Sequence, residues 1–108
     1  MKIYISIPIT GLDYARQKEK ADRVAAMLSR KGFEPVNPFM VYDGRNATWE
    51  DHICADLRAM MDCDGVYFCE GWRDSHGCII EHEVMLQLRH RRGLPNFIPY
   101  YEGEPWDE

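Results

Sequence analysis

The order of apolar runs and amphipathic stretches predicts an α/β fold. The expected form is a three-layer, doubly wound parallel sheet of the flavodoxin or Rossmann-like kind, with four to five strands in the order 2-1-3-4. Three observations carry this. Short apolar runs rich in β-branched and aromatic residues alternate with segments of helical period. The connections between them are short, as in βαβ units. Right-handed crossovers then leave few topologies, and 2-1-3-4 is the one in which the winding direction reverses between strands one and three.

The elements follow in order. Lys2 to Ile7 is a first strand, and Gly11 with Asp13 offers a turn and a helix cap. A helix from Tyr14 to Lys31 carries Ala21, Val24, Ala25 and Leu28 at helical spacing, and Gly32 ends it. Phe33 to Val36 makes a short second strand, stopped by Asn37-Pro38, and Phe39 to Ala47 reads as an exposed loop around Asp43-Gly44. Thr48 with Asp51 resembles a capping box for a helix with Ile53, Leu57, Met60 and Met61 on one face. Val66 to Cys69 is the third strand. A third helix runs from Gly77 to Arg92 with Ile80, Val84, Met85 and Leu88 inward, and Gly93 stops it. Asn96 to Tyr100 is the fourth strand. Residues 1–101 should thus form one domain, followed by an acidic tail at 102–108 that Trp106 would pin to the body or to a neighbouring subunit.

Charge and cysteine usage exclude several function classes. The net charge is −5 and uneven, +1 over residues 1–54 and −6 over residues 55–108. No basic stripe is available to neutralise a phosphate backbone, so no nucleic-acid polymer is expected as a partner. No run of 18 apolar residues and no signal-peptide pattern is present, so the expectation is a cytoplasmic protein with no membrane partner. Cys54, Cys63, Cys69 and Cys78 form no C-x-x-C pair and should be reduced. His76, Cys78 and His82 match no recurring ligand spacing, so neither a metal nor another cofactor is expected.

The stretch from Val66 to Glu81 holds the most chemistry. An apolar strand empties into the polar loop Glu70 to Ser75, and a helix begins near His76-Gly77 with Glu81 in about its first turn. Ile79 and Ile80 should face the core beside it. A carboxylate there feels the partial positive charge of unpaired backbone N–H groups, which favours its ionised form. Glu81 therefore reads either as a nucleophile or as a residue that complements the helix dipole. In a doubly wound sheet the ligand lies at the switch point, so Pro8, Thr10, Gly11 and the loop Gly71 to Ser75 should line one pocket with Glu81 close behind.

These residues, taken together, resemble the nucleoside 2-deoxyribosyltransferase superfamily, and most of all its short phage and bacterial members related to deoxynucleoside 5′-monophosphate N-glycosidases. The likeness runs through Lys2 to Gly11, Val36-Asn37-Pro38, Trp49-Glu50-Asp51, Asp56, Asp64, Gly71-Trp72, Ser75, Gly77 and Glu81. It implies an N-glycosidase that releases or exchanges the base of a 2′-deoxynucleoside or its 5′-monophosphate. Glu81 would be the nucleophile, Asp56 the second acid and Tyr4 the group orienting the carboxylate. Ser75, Gly77, Pro8, Thr10, Gly11 and Trp72 would bind substrate, Trp72 by stacking on the base. It implies no cofactor, a small-molecule deoxynucleoside or deoxynucleotide as partner, and a homodimer or higher homo-oligomer.

Ser75 tilts the reading toward a phosphate, since the superfamily's nucleoside transferases carry Asp there; it also suits an N-cap. Two departures pull the other way. Ile7 stands where the superfamily often has Gly, and Thr10 stands where its monophosphate hydrolases have Arg. A non-catalytic nucleotide- or nucleotide-sugar-binding module and a phage accessory interaction protein are the alternatives on the same fold.

Overall fold

The spine of the sheet is β1 (Lys2–Ser6), whose side chains alternate between two covered faces. Ile3 and Ile5 point to one face, Tyr4 and Ser6 to the other, and all four are buried. The computed structural model describes residues 1–41, 47–93 and 96–105. Around β1 the parallel sheet is ordered β2-β1-β3-β4, with β2 (Glu34–Val36), β3 (Gly65–Phe68) and β4 (Ile98–Tyr101), which is the expected topology.

Helices cover both faces. α1 (Tyr14–Arg30) lays Ala21, Val24 and Leu28 on Ile3, Ile5 and Ile7. Its N-cap Asp13 accepts from the Arg16 amide at 3.0 Å, and Gly32 leaves it at φ +89, a conformation that suits glycine. The opposite face is covered by α2 (Trp49–Met61) and α3 (His76–Arg92), with Met60 and Met85 against Tyr4, Val66 and Phe68. Each such side chain taken fully from water contributes about 1.5–3 kcal/mol. α2 opens on the expected capping box: Thr48 Oγ1 accepts from the Asp51 amide at 3.1 Å, and Asp51 Oδ2 accepts from the Thr48 amide at 2.9 Å. At its other end the Arg92 guanidinium donates to the carbonyls of Met61 and Cys63.

Three local expectations need correction. Met61 and Ile79 are 37% and 42% exposed, because the buried phase of their helices is set by Met60 and by Cys78, Glu81 and Met85. Residues Pro38–Met40 form a 3₁₀ turn within the expected loop; Asp43 and Gly44 lie outside the described residues, as does Trp106. The start of the acidic tail is tied down. Glu102 pairs with Lys20 at 3.1 Å and accepts from the Glu70 amide. No helix among the described residues is long and apolar enough to cross a membrane.

Candidate functional site

Strand alternation places Tyr4 and Ser6 on the face that α3 covers, and α3 lowers Glu81 directly onto them. The Tyr4 hydroxyl donates to Glu81 Oε2 at 2.7 Å, and the Ser6 hydroxyl donates to Oε1 at 2.7 Å. Both bonds are short and end on an acceptor that is charged when ionised, the stronger kind of hydrogen bond. Glu81 is 4% exposed and Ser6 fully buried.

Glu81 is the sixth residue of α3, in its second turn rather than its first. The helix N-terminus is therefore too far along the axis to hold the charge, since its effect fades within the first turn. The two hydroxyls do that work instead. Burial pushes the Glu81 carboxyl up to about 7, the Tyr4 and Ser6 hydrogen bonds pull it back, and the charge of Asp56 adds to the upward push. Burial likewise pushes Asp56 up to about 7. Tyr4 is driven well above its ordinary value, first by burial and then by the charges of Glu81 and Asp56, so it stays a neutral donor.

Glu81 and Asp56 share a cavity of about 580 Å³ beyond the carboxyl end of β1. The structure brings Tyr4, Asp56, Ser75, Gly77, Thr10 and Glu81 together on its wall. Ser75 is also the N-cap of α3, accepting from the Cys78 amide at 3.3 Å, so its two expected roles coexist. Ile7 lies on the same wall, filling space where a smaller residue would leave room.

Three expected binding residues lie elsewhere. Pro8 lines a neighbouring hollow of about 410 Å³ with Gly71, whose φ of +89 lets the chain turn beneath the proline ring. Gly11 is exposed in a turn at φ +81, outside the cavity. Trp72 lies outside the cavity: it stacks on His82 at 4.3 Å, packs on Phe68, and carries Arg73 over its own ring at 4.8 Å. One face of its indole is taken by the stacked His82 ring, and Phe68 and Tyr101 pack against it at a tilt.

The structure also adds residues the sequence reading passed over. Ser6 is the chief one, and its signal was present: a lone hydroxyl two positions from Tyr4 in an otherwise apolar strand must share Tyr4's face and needs a partner there. Trp49, His52, Phe39 and Tyr14 line the cavity as well. Asp64 is an anchor, accepting from the Lys2 amide at 2.8 Å. His82 donates to or accepts from the Tyr101 hydroxyl at 2.8 Å, away from Cys78. Among the described residues no three His, Cys, Asp or Glu side chains converge as a metal site. The Cys78 thiol sits against the Ser6 and Ser75 hydroxyls, and burial pushes it up to about 11, so it remains a thiol at neutral pH.

A family model described as a domain of unknown function, DUF4406, matches residues 1–91. The chain belongs to DUF4406. That span covers the first three strands, α1, α2 and all of α3 but its last residue, and hence every residue just placed around Glu81. No curated protein and no solved structure matches this DUF4406 chain.

Proposed function

We propose that this DUF4406 domain is an N-glycosidase acting on 2′-deoxynucleosides, with Glu81 as nucleophile and Asp56 as proton donor. One observation carries the reading: a buried carboxylate with each oxygen held by a hydroxyl, facing a cavity it shares with a second carboxyl pushed up to about 7. Retaining glycosidic cleavage calls for such a pair.

A Glu81 oxygen attacks the anomeric carbon as the bond from that carbon to the base nitrogen breaks. The bonding electron pair leaves with the base, whose nitrogen takes the Asp56 proton. The resulting sugar ester of Glu81 is opened by water or by a second base. Either bonds to the anomeric carbon as the bond to Glu81 breaks and gives a proton to the Asp56 carboxylate, which returns the chain to its starting state. Tyr4 and Ser6 hold the carboxylate oriented and keep part of it ionised at neutral pH against the effect of burial. The chemistry draws nucleophile and acid from the chain itself and calls for no cofactor.

The wall charges favour an uncharged deoxynucleoside over its 5′-monophosphate. Asp56, Asp74 and Glu81 line the cavity, and among the described residues no Lys or Arg does. Lys20, on the neighbouring hollow, is already paired with Glu102. A phosphate would meet carboxylates with no Lys or Arg of the described residues on the wall to offset them.

The test is a panel of 2′-deoxynucleosides and their 5′-monophosphates, with and without a second free base, followed by chromatography for released or exchanged base. Base release from the nucleosides, lost in Glu81→Gln, is expected. Binding of these compounds without any release would instead favour the non-catalytic module.

A further inference from the structure

We propose that the cavity-facing side of α2 is the subsite for the flat heterocycle of the substrate, with Trp49 as the ring it stacks on. This rests on the N-glycosidase reading above and extends it to how the leaving group is held.

Four residues of α2 line the cavity: Trp49, His52, Ile53 and Asp56. Their spacing of zero, three, four and seven puts them on one face of a helix. At about 1.5 Å of rise per residue, Asp56 and Trp49 stand about 10 Å apart along the axis. The base nitrogen released from the sugar must reach the Asp56 carboxyl. A planar base bonded there runs over the Ile53 side chain toward His52 and Trp49. The rise of the helix thus sets the direction in which the base extends.

The outer end of that path has the composition of a ring-binding mouth. Trp49 is 41% exposed and Tyr14 60% exposed, although both are large aromatic side chains on a cavity wall. Tyr14 meets Phe39 edge-on with centroids 5.1 Å apart, and both rings line the cavity. An aromatic surface left open to water at a concave site gains when a flat ring covers it. Tyr4, Ser75 and Glu81 line the same cavity, and Asp56 lies close enough to Glu81 for their charges to interact, so the Asp56 end of the path carries groups that suit a sugar. The path from Asp56 to Trp49 therefore runs from polar groups to an aromatic ring, as a nucleoside does from sugar to base. Trp49 is also held in place before any ligand arrives, as the first residue of a helix fixed by the Thr48–Asp51 box. Trp72 offers no such surface, its ring being stacked on His82.

The experiment uses the full chain carrying Glu81→Gln, so that binding is read without turnover. Titration calorimetry measures 2′-deoxyadenosine, 2′-deoxyguanosine, 2′-deoxycytidine, thymidine and 2-deoxyribose, before and after Trp49→Ala. Base stacking predicts roughly 5- to 150-fold weaker nucleoside binding in Trp49→Ala. Trp49→Phe should recover most of the loss, and 2-deoxyribose should bind equally to all three proteins. Circular dichroism confirms that each is folded.

Unchanged nucleoside affinity in Trp49→Ala overturns the subsite even if the wild type releases base. No nucleoside binding to the folded parent also overturns it. Trp49-dependent binding without base release from the wild type upholds the subsite and removes the catalytic reading alone.

Discussion

Replacing Glu81 by Gln should stabilise the protein at alkaline pH and leave it nearly unchanged in acid. In the folded protein the Glu81 carboxyl rises from its ordinary value of 4.5 to about 7. At about 1.36 kcal/mol per pH unit, ionised Glu81 destabilises the fold by about 3 kcal/mol once pH exceeds both values. The unfolded chain gives up this proton near 4.5 and the folded chain near 7. Between them the folded state binds more protons, so stability falls as pH rises through that window. Gln has no proton to lose and keeps a carbonyl oxygen for the Tyr4 hydroxyl. For a domain of this size, about 3 kcal/mol corresponds to roughly 10 °C or more in melting temperature. The assay is thermal melting of wild type and Glu81→Gln at about pH 5 and about pH 8, compared pairwise. A gain of stability confined to the higher pH is expected. An equal difference at both pH values, or a loss at the higher one, would refute the argument that burial dominates this carboxyl.

Removing one hydroxyl of the cradle should have the opposite functional sign. Ser6→Ala or Tyr4→Phe takes away a hydrogen bond worth about 1.5–3 kcal/mol to a charged acceptor, which raises the Glu81 carboxyl by about one to two pH units. Base release near neutrality should fall roughly tenfold relative to wild type. The ratio of variant to wild type should approach one as pH is raised, while both proteins slow there as Asp56 loses its proton. A ratio independent of pH would show that the hydroxyls act otherwise. Asp56→Asn should slow release of ordinary bases by roughly 10² or more, the usual contribution of a positioned acid. It should spare 7-methyl-2′-deoxyguanosine, whose cationic base departs without a proton. Equal loss on both substrates, measured by chromatography, would remove Asp56 from the proton-donor role.

Much of the architecture was legible because it rests on local signals. The Thr48–Asp51 box, the Gly32 exit from α1 and the period of Ala21, Val24 and Leu28 each act within about two turns, and each holds in the structure. The strand order followed from handedness, a general property of L-residues. The site was legible where two elements meet in a fixed geometry, as Tyr4 and Glu81 do across β1 and α3. Trp72 was misplaced for a physical reason. Sequence placed it correctly in the loop after β3, but the direction of an aromatic ring is decided by its partners, and here those are Phe68 and His82. Ile79 faces outward because one helical turn gives only part of its circumference to the core, and Cys78 and Glu81 already take it. That the Ser6 hydroxyl needs a partner was legible within β1, but that the partner is Glu81 depends on how α3 sits on β1, which no local pattern prints.

Covalent catalysis by Glu81 is tested most directly by trapping the sugar on it. A 2′-deoxy-2′-fluoroarabinonucleoside carries an electron-withdrawing substituent beside the anomeric carbon. That destabilises the cationic transition states and lets the ester intermediate accumulate. Wild-type protein incubated with such analogues of each base is digested and mapped by mass spectrometry. One sugar residue on the peptide containing Glu81, absent from Glu81→Gln, is the expected result. Base release from natural deoxynucleosides with the sugar found on another residue would contradict the account, as would an unmodified Glu81 in a folded protein that releases no base.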